Sequence, residues 1–165
     1  MFHKILVPLD GTPEAEKALE TACQLTRLCS ASLVLARVLV APADLSHTMM
    51  HLMAPGLSAA EQQACADYLE SCAVRLRNQG FDARAVTLHD DVVEHGLAIL
   101  LQSEKPDLIV MNTHESEGMF HFLSDSVAAH LVKTAGCPVL VTGECAQHRP
   151  YNHSLAALSS DYRNK

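Results

Sequence analysis

At 165 residues, with 48% hydrophobic and 19% charged positions, the chain has the size and balance of one globular domain able to bury a core. A formal net charge of -7, with twelve Lys and Arg scattered along the chain, argues against nucleic acid or an anionic membrane surface as partner. The opening run MFHKILVPLD, closed by Pro8 and Asp10, is too short for a signal peptide or a membrane span, so a cytoplasmic location is expected.

KILVPL is a near-continuous apolar run, as a strand buried on both faces requires. DGTPEAEKALETACQL then reads as one helix. Thr12 is a natural N-cap, Pro13 fits the first helical position, and Glu14 and Glu16 suit the positive helix end. Ala15, Ala18, Leu19, Ala22, Leu25 and Thr26 recur at helical spacing and form its apolar stripe. ASLVLARVLV is a second strand, and APADLSHTMMHLMAPGL, bounded by prolines, is a long loop. SAAE at 58–61 is a capping box that opens the longest helix. The stripe of that helix is Cys65, Leu69, Cys72 and Leu76, and its stop is Gly80.

FDARAVTLH alternates in a way that suits an edge strand. DDVVEHGLAILLQSEK predicts a helix capped by Asp90 or Asp91 and stopped by Pro106. PDLIVMNT is a fourth, buried strand, SDSVAAHLVKTAG a short helix, and CPVLVTGE a fifth strand. From Cys145 onward the chain is mostly polar, so the expected division is a domain over 1–144 and a tail over 145–165.

Strands alternating with helices give an α/β fold: a doubly wound five-stranded parallel sheet, order 3-2-1-4-5, with helices on both faces. The switch point lies between strands 1 and 4, and ligands of such sheets bind at the carboxyl ends of those strands. The candidate cleft is therefore PLDGT together with the loop NTHESEGMFHFLSDS. Phosphate cradles are normally rich in glycine and poor in acid. This loop has one glycine, Gly118, and carries Glu115, Glu117 and Asp125. Asp125 and Ser126 read as a helix N-cap, where an acid stabilises the helix end by ~0.3–1 kcal/mol.

None of the six cysteines forms a C-x-x-C pair; Cys65 and Cys72 are separated by about 10 Å of helix and read as small buried hydrophobes. The ten histidines, His114 and His121 of the loop among them, are not at tight metal spacing, and no metal site is expected. There is no G-x-S-x-G, Walker sequence or G-x-G-x-x-G, so an enzyme is not expected.

KILVPLDGTPEAEKALETACQL, PDLIVMNTH and SVAAHLVKTAGCPVLV resemble, in this order and over about 4–142, the universal stress protein family. The resemblance implies a choice, since some members bind ATP and others do not. Binders carry a glycine pattern after the fourth strand: Gly, two residues, Gly, nine residues, Gly, then Ser or Thr. On this chain the glycine positions fall on Asn112, Glu115 and Asp125, and only Ser126 matches. A carboxylate about 6 Å from a phosphate charge costs roughly 3 kcal/mol at an effective dielectric near 20.

By the same resemblance Asp10 matches the acid near ribose and metal, and Val38 the position whose backbone faces adenine. With Pro8 and Val127, these residues complete a candidate cleft of Pro8, Asp10, Val38, Asn112, Glu115, Asp125, Ser126 and Val127. The expected function is a non-catalytic cytoplasmic stress-response protein without ATP binding and without a cofactor, acting through association. It would form a homodimer through the fifth strand, residues 137–143, as the family commonly does, and engage unknown protein partners. The alternative is a stress sensor that takes an adenine nucleotide, ATP with magnesium or AMP, in the same cleft. A flavin carrier shares the fold but is disfavoured by the lack of Trp and the acidic loop.

Overall fold

A computed structural model describes residues 1–40, 58–112 and 127–143. Its strands are β1 (Lys4–Pro8), β2 (Ser32–Leu39), β3 (Ala83–His89), β4 (Leu108–Asn112) and β5 (Val139–Thr142). Its helices are α1 (Pro13–Glu16), α2 (Ala18–Cys29), α3 (Ala59–Asn78), α4 (Val93–Glu104) and α5 (Val127–Thr134). The strands form one parallel sheet in the expected order, β3-β2-β1-β4-β5. The expected tail over 145–165 and the loop after β2 lie outside the described residues.

Alternation along the strands sends side chains into two cores, as a period of two requires. Ile5, Val7, Leu33, Leu35, Leu108 and Val110 join the core under α1, α2 and α3. Leu6, Val34, Ala36, Ile109 and Met111 join the core under α4 and α5. The central strands are therefore apolar at nearly every position. The α3 stripe behaves as its spacing predicts, with Leu69, Cys72 and Leu76 buried and Cys65 partly so. Its capping box is complete: Ser58 accepts from Glu61 N–H, and Glu61 accepts from Ser58 N–H.

Two helices differ from expectation. The first is divided at Lys17 into α1 and α2, although Lys17 keeps helical dihedrals (φ -58, ψ -27). The predicted stripe crosses the break, because the phase of the helix is preserved; Ala15, Ala18, Leu19, Ala22 and Thr26 are buried, and Leu25 packs partly buried against the same core. The start of α4 is capped by neither Asp90 nor Asp91. Its N-cap is Val92, in extended backbone with no side-chain cap, and Asp90 instead accepts from Val92 N–H at 3.1 Å.

The amino-terminal edge of the sheet is tied by Asp107, whose carboxylate accepts from His3 N–H (2.7 Å) and Lys4 N–H (3.0 Å). Burial works to raise this carboxyl, but the His3 and Lys4 N–H donors, together with the neighbouring His3 side chain and the Asp107 backbone, hold the group below its ordinary value.

Gly96 sets the distance between α4 and β2. A Cβ there would fall 2.6 Å from Val38 Cγ1 and 3.0 Å from Cγ2, and those methyls belong to a stiff, β-branched side chain. Gly96→Ala should destabilise by ~1–3 kcal/mol through overpacking. In the double variant with Val38→Ala the two effects should fall short of their sum by more than ~0.5 kcal/mol. Urea denaturation of the four proteins decides; strict additivity would contradict the contact.

Candidate functional site

The carboxyl ends of the strands are shaped first by where β1 stops. Leu9 N–H donates to Ala36 C=O at 2.8 Å, one residue beyond the last β1 position, Pro8. The chain then turns at Asp10, Gly11 and Thr12, with Gly11 at φ +92, a conformation that side chains disfavour. Asp10 Oδ1 accepts from Thr12 N–H (2.8 Å) and from the Thr12 hydroxyl (2.6 Å). Thr12 Oγ1 in turn accepts from Ala15 N–H at 3.2 Å and caps α1. An Asx turn thus feeds directly into an N-cap, so Asp10 has structural work whether or not a ligand comes.

β4 ends in a clasp. Asn112 donates from Nδ2 to Glu14 C=O at 3.0 Å, joining the strand to α1. Its Oδ1 faces the Thr142 hydroxyl at 3.0 Å, and that same hydroxyl lies 3.2 Å from Met111 C=O. One hydroxyl proton serves both acceptors. The contact follows from register, since Asn112 stands opposite Thr142 across the β4–β5 ladder. Both polar ends of the amide are therefore engaged by the protein.

β2 and β3 complete the edge. Val38 is half-buried, stands opposite Leu88 and packs against Gly96 of α4. Asp90 follows β3, with its N–H on Leu39 C=O at 3.2 Å and its carboxylate 2.7 Å from His95 Nδ1. The Val92 N–H, with the neighbouring His95, holds the Asp90 carboxyl below its ordinary value.

Pro8, Asp10, Val38 and Asn112 all lie along this carboxyl edge, and Val127 opens α5. Glu115, Asp125 and Ser126, with the loop histidines His114 and His121, lie outside the described residues. Sequence reasoning missed Arg37, Glu14 and Thr142. The first left a trace: Arg37 is the sole charged residue in the β2 sequence SLVLARVL. Glu14 left none, because it contributes a backbone carbonyl.

A second concavity, a groove of about 400 Å³, lies between α2 and α3, lined by Glu16, Cys23, Arg27 and Arg75 among others. Glu16 crosses it, accepting from the Tyr68 hydroxyl (2.9 Å) and Arg75 (2.6 Å). Burial, and then the bond to Glu16, push the Tyr68 phenol well above its ordinary value. Burial likewise raises the Cys23 and Cys72 thiols, which works against thiolate formation. Among the described residues no group of three or more His, Cys, Asp or Glu could hold a metal ion, and no helix is long and apolar enough to cross a membrane.

A family model described as the universal stress protein family matches residues 1–143. Among solved structures, a universal stress family protein from Burkholderia pseudomallei is 25% identical, with TM-score 0.61, and the match covers 84% of this chain and 94% of that one. Universal stress protein UspA from Lactobacillus plantarum is 21% identical, with TM-score 0.66 and coverage of 84% and 96%. A universal stress protein solved in complex with cAMP is 20% identical, with TM-score 0.63 and coverage of 86% and 97%.

The clasp gives a direct expectation. Asn112→Ala removes two side-chain hydrogen bonds at a half-buried position and should lower stability by about 1–2 kcal/mol. Thr142→Ala should destabilise less than additively on that background, because the pair shares one bond. Urea midpoints of the single and double variants measure this; an unchanged midpoint for Asn112→Ala would contradict the clasp.

Proposed function

The chain belongs to the universal stress protein family, and from that premise we propose that it is a non-catalytic member acting as a dimer, through association, without seating ATP. The observation that carries this reading is Asn112. The family resemblance puts a glycine here in ATP binders, where bare backbone can approach a phosphate. In this chain a side chain stands there instead, held by Glu14 C=O and Thr142. Glu115 and Asp125 replace the other two glycines with carboxylates, and each close carboxylate–phosphate pair weakens binding about a hundredfold before screening.

The edge position of β5 supports the dimer. Leu140 and Val141 are 38% and 40% exposed on a strand that closes the sheet, and Val132 of the adjoining α5 is 62% exposed. A second copy pairing along this strand satisfies the open backbone groups and covers the apolar side chains. In this reading the protein works in the cytoplasm and engages other proteins through the surface that the dimer leaves free.

The second reading, an adenine-nucleotide sensor, is favoured by the similar universal stress protein that holds cAMP. Pro8, Asp10 and Val38 still line the edge where a nucleoside would lie.

Isothermal titration of the native protein with ATP and magnesium should give no saturable heat at micromolar concentrations; micromolar affinity would replace the first reading with the second. Light scattering at micromolar concentration should report twice the chain mass. Val141→Lys, which places charge on the pairing edge, should give the single-chain mass, and a monomeric native protein would remove the dimer from the proposal.

A further inference from the structure

Arg37 is the one charge in β2, and its surroundings are unlike those of an ordinary surface arginine. The side chain is half-buried, on the same sheet face as Leu33 and Leu35. Its guanidinium carbon lies over the Tyr68 ring, 5.6 Å from the centroid. On its other side it presses against the turn after β1. A Cβ at Gly11 would sit 2.6 Å from Arg37 Nη1 and 3.1 Å from both Cζ and Nη2, so the guanidinium covers a position that only glycine leaves clear.

Neither neighbour satisfies the group. An aromatic face attracts the cation but consumes none of its five N–H donors. Among the described residues Arg37 makes no ion pair, and two acids of the neighbouring segments hold other partners. Glu16 is held by Arg75 and the Tyr68 hydroxyl, and Asp10 Oδ1 by Thr12. A half-buried guanidinium is normally paired, because burial without a counter-charge is costly. Here the cation is held in place from two sides, and among the described residues no side chain or carbonyl takes up its donors. It stands at the carboxyl edge of the sheet, beside the β1 turn, where open α/β sheets bind their ligands.

We propose that Arg37 is the anion-recognition residue of this cleft, and that it takes the phosphate or carboxylate group of a small molecule lying against the Gly11 turn. The guanidinium's planar fork suits either group, each of which offers two acceptors. The ligand approaches from the α3 side of β1, away from the clasp at Asn112. The inference therefore does not rest on the absence of ATP binding: ATP heat that persists in Arg37→Met would count against the clasp reading and leave this one standing.

The test is a titration of isotope-labelled full-length protein with inorganic phosphate, and separately with acetate, at constant ionic strength. The readouts are the Arg37 Nε–H and Gly11 amide resonances. At least one anion should move both resonances saturably. Phosphate alone would mark the ligand as a phosphomonoester, acetate alone as a carboxylate, and both as an anion read by charge and fork alone. In Arg37→Met, which keeps the apolar cover on Tyr68, affinity should fall about tenfold or more, as loss of a charge-assisted pair requires, while the thermal midpoint confirms folding. Arg37→Lys keeps the charge but not the fork and should fall between the two. Resonances unmoved by either anion, or shifts that survive in Arg37→Met, would overturn the proposal.

Discussion

The amide of Asn112, held between Glu14 C=O and the Thr142 hydroxyl, is the contact on which the reading of this molecule depends. It lies where β4 leaves the sheet, the point at which a doubly wound fold ordinarily opens toward a ligand. A glycine there would leave backbone N–H groups accessible. An asparagine brings a donor and an acceptor, and this one spends both on the protein. One side chain thereby joins the last residue of β4 to the first helix on one side and to the edge strand on the other. The end of the strand becomes part of the scaffold.

That clasp is possible because the sheet is built rigidly beneath it. Burial of Ile5, Leu6, Val7, Leu33, Val34, Leu35, Ile109 and Val110 at 0% exposure fixes the central strands between two helical layers. With that register set, Asn112 must face Thr142, and Pro8 must stand opposite Ala36. Close approaches then do the fine positioning. Gly96 lets α4 reach Val38, and Gly11 lets the Arg37 guanidinium lie against the first turn. On one carboxyl edge the fold thus presents a neutral, self-satisfied end at β4 and, among the described residues, a cation without an ion pair at β2.

Much of this was legible in the residues. The apolar runs of β1 and β4 announced strands covered on both faces, and Ser58 with Glu61 marked the start of α3 to the residue. The edge position of β5 followed from the doubly wound order 3-2-1-4-5 that alternating strands and helices imply. Less legible were features that depend on a partner distant in sequence. Two acids ahead of α4 look like caps, but Asp90 is drawn to Val92 N–H and His95, which leaves Val92 as the N-cap. The break at Lys17 changes no side-chain phase and so leaves no mark in the pattern. At the site, the loss of glycine at 112 could be read directly, whereas its consequence could not. Whether an asparagine merely crowds a cleft or locks it depends on a backbone carbonyl at Glu14 and a hydroxyl at Thr142. Arg37 was visible as a charge in an apolar strand, but its place between Tyr68 and Gly11 is set by residues far from it in sequence.

Restoring what the β4 end lacks tests the account most directly. In Asn112→Gly combined with Glu115→Gly and Asp125→Gly, the clasp is opened and two carboxylates are removed, while Ser126 stays. Calorimetric titration with magnesium ATP should show binding in this triple variant at least about a hundredfold tighter than in the native chain, where no saturable heat is expected. Equal affinity in the two proteins would mean that neither the Asn112 clasp nor the acids govern access to the cleft.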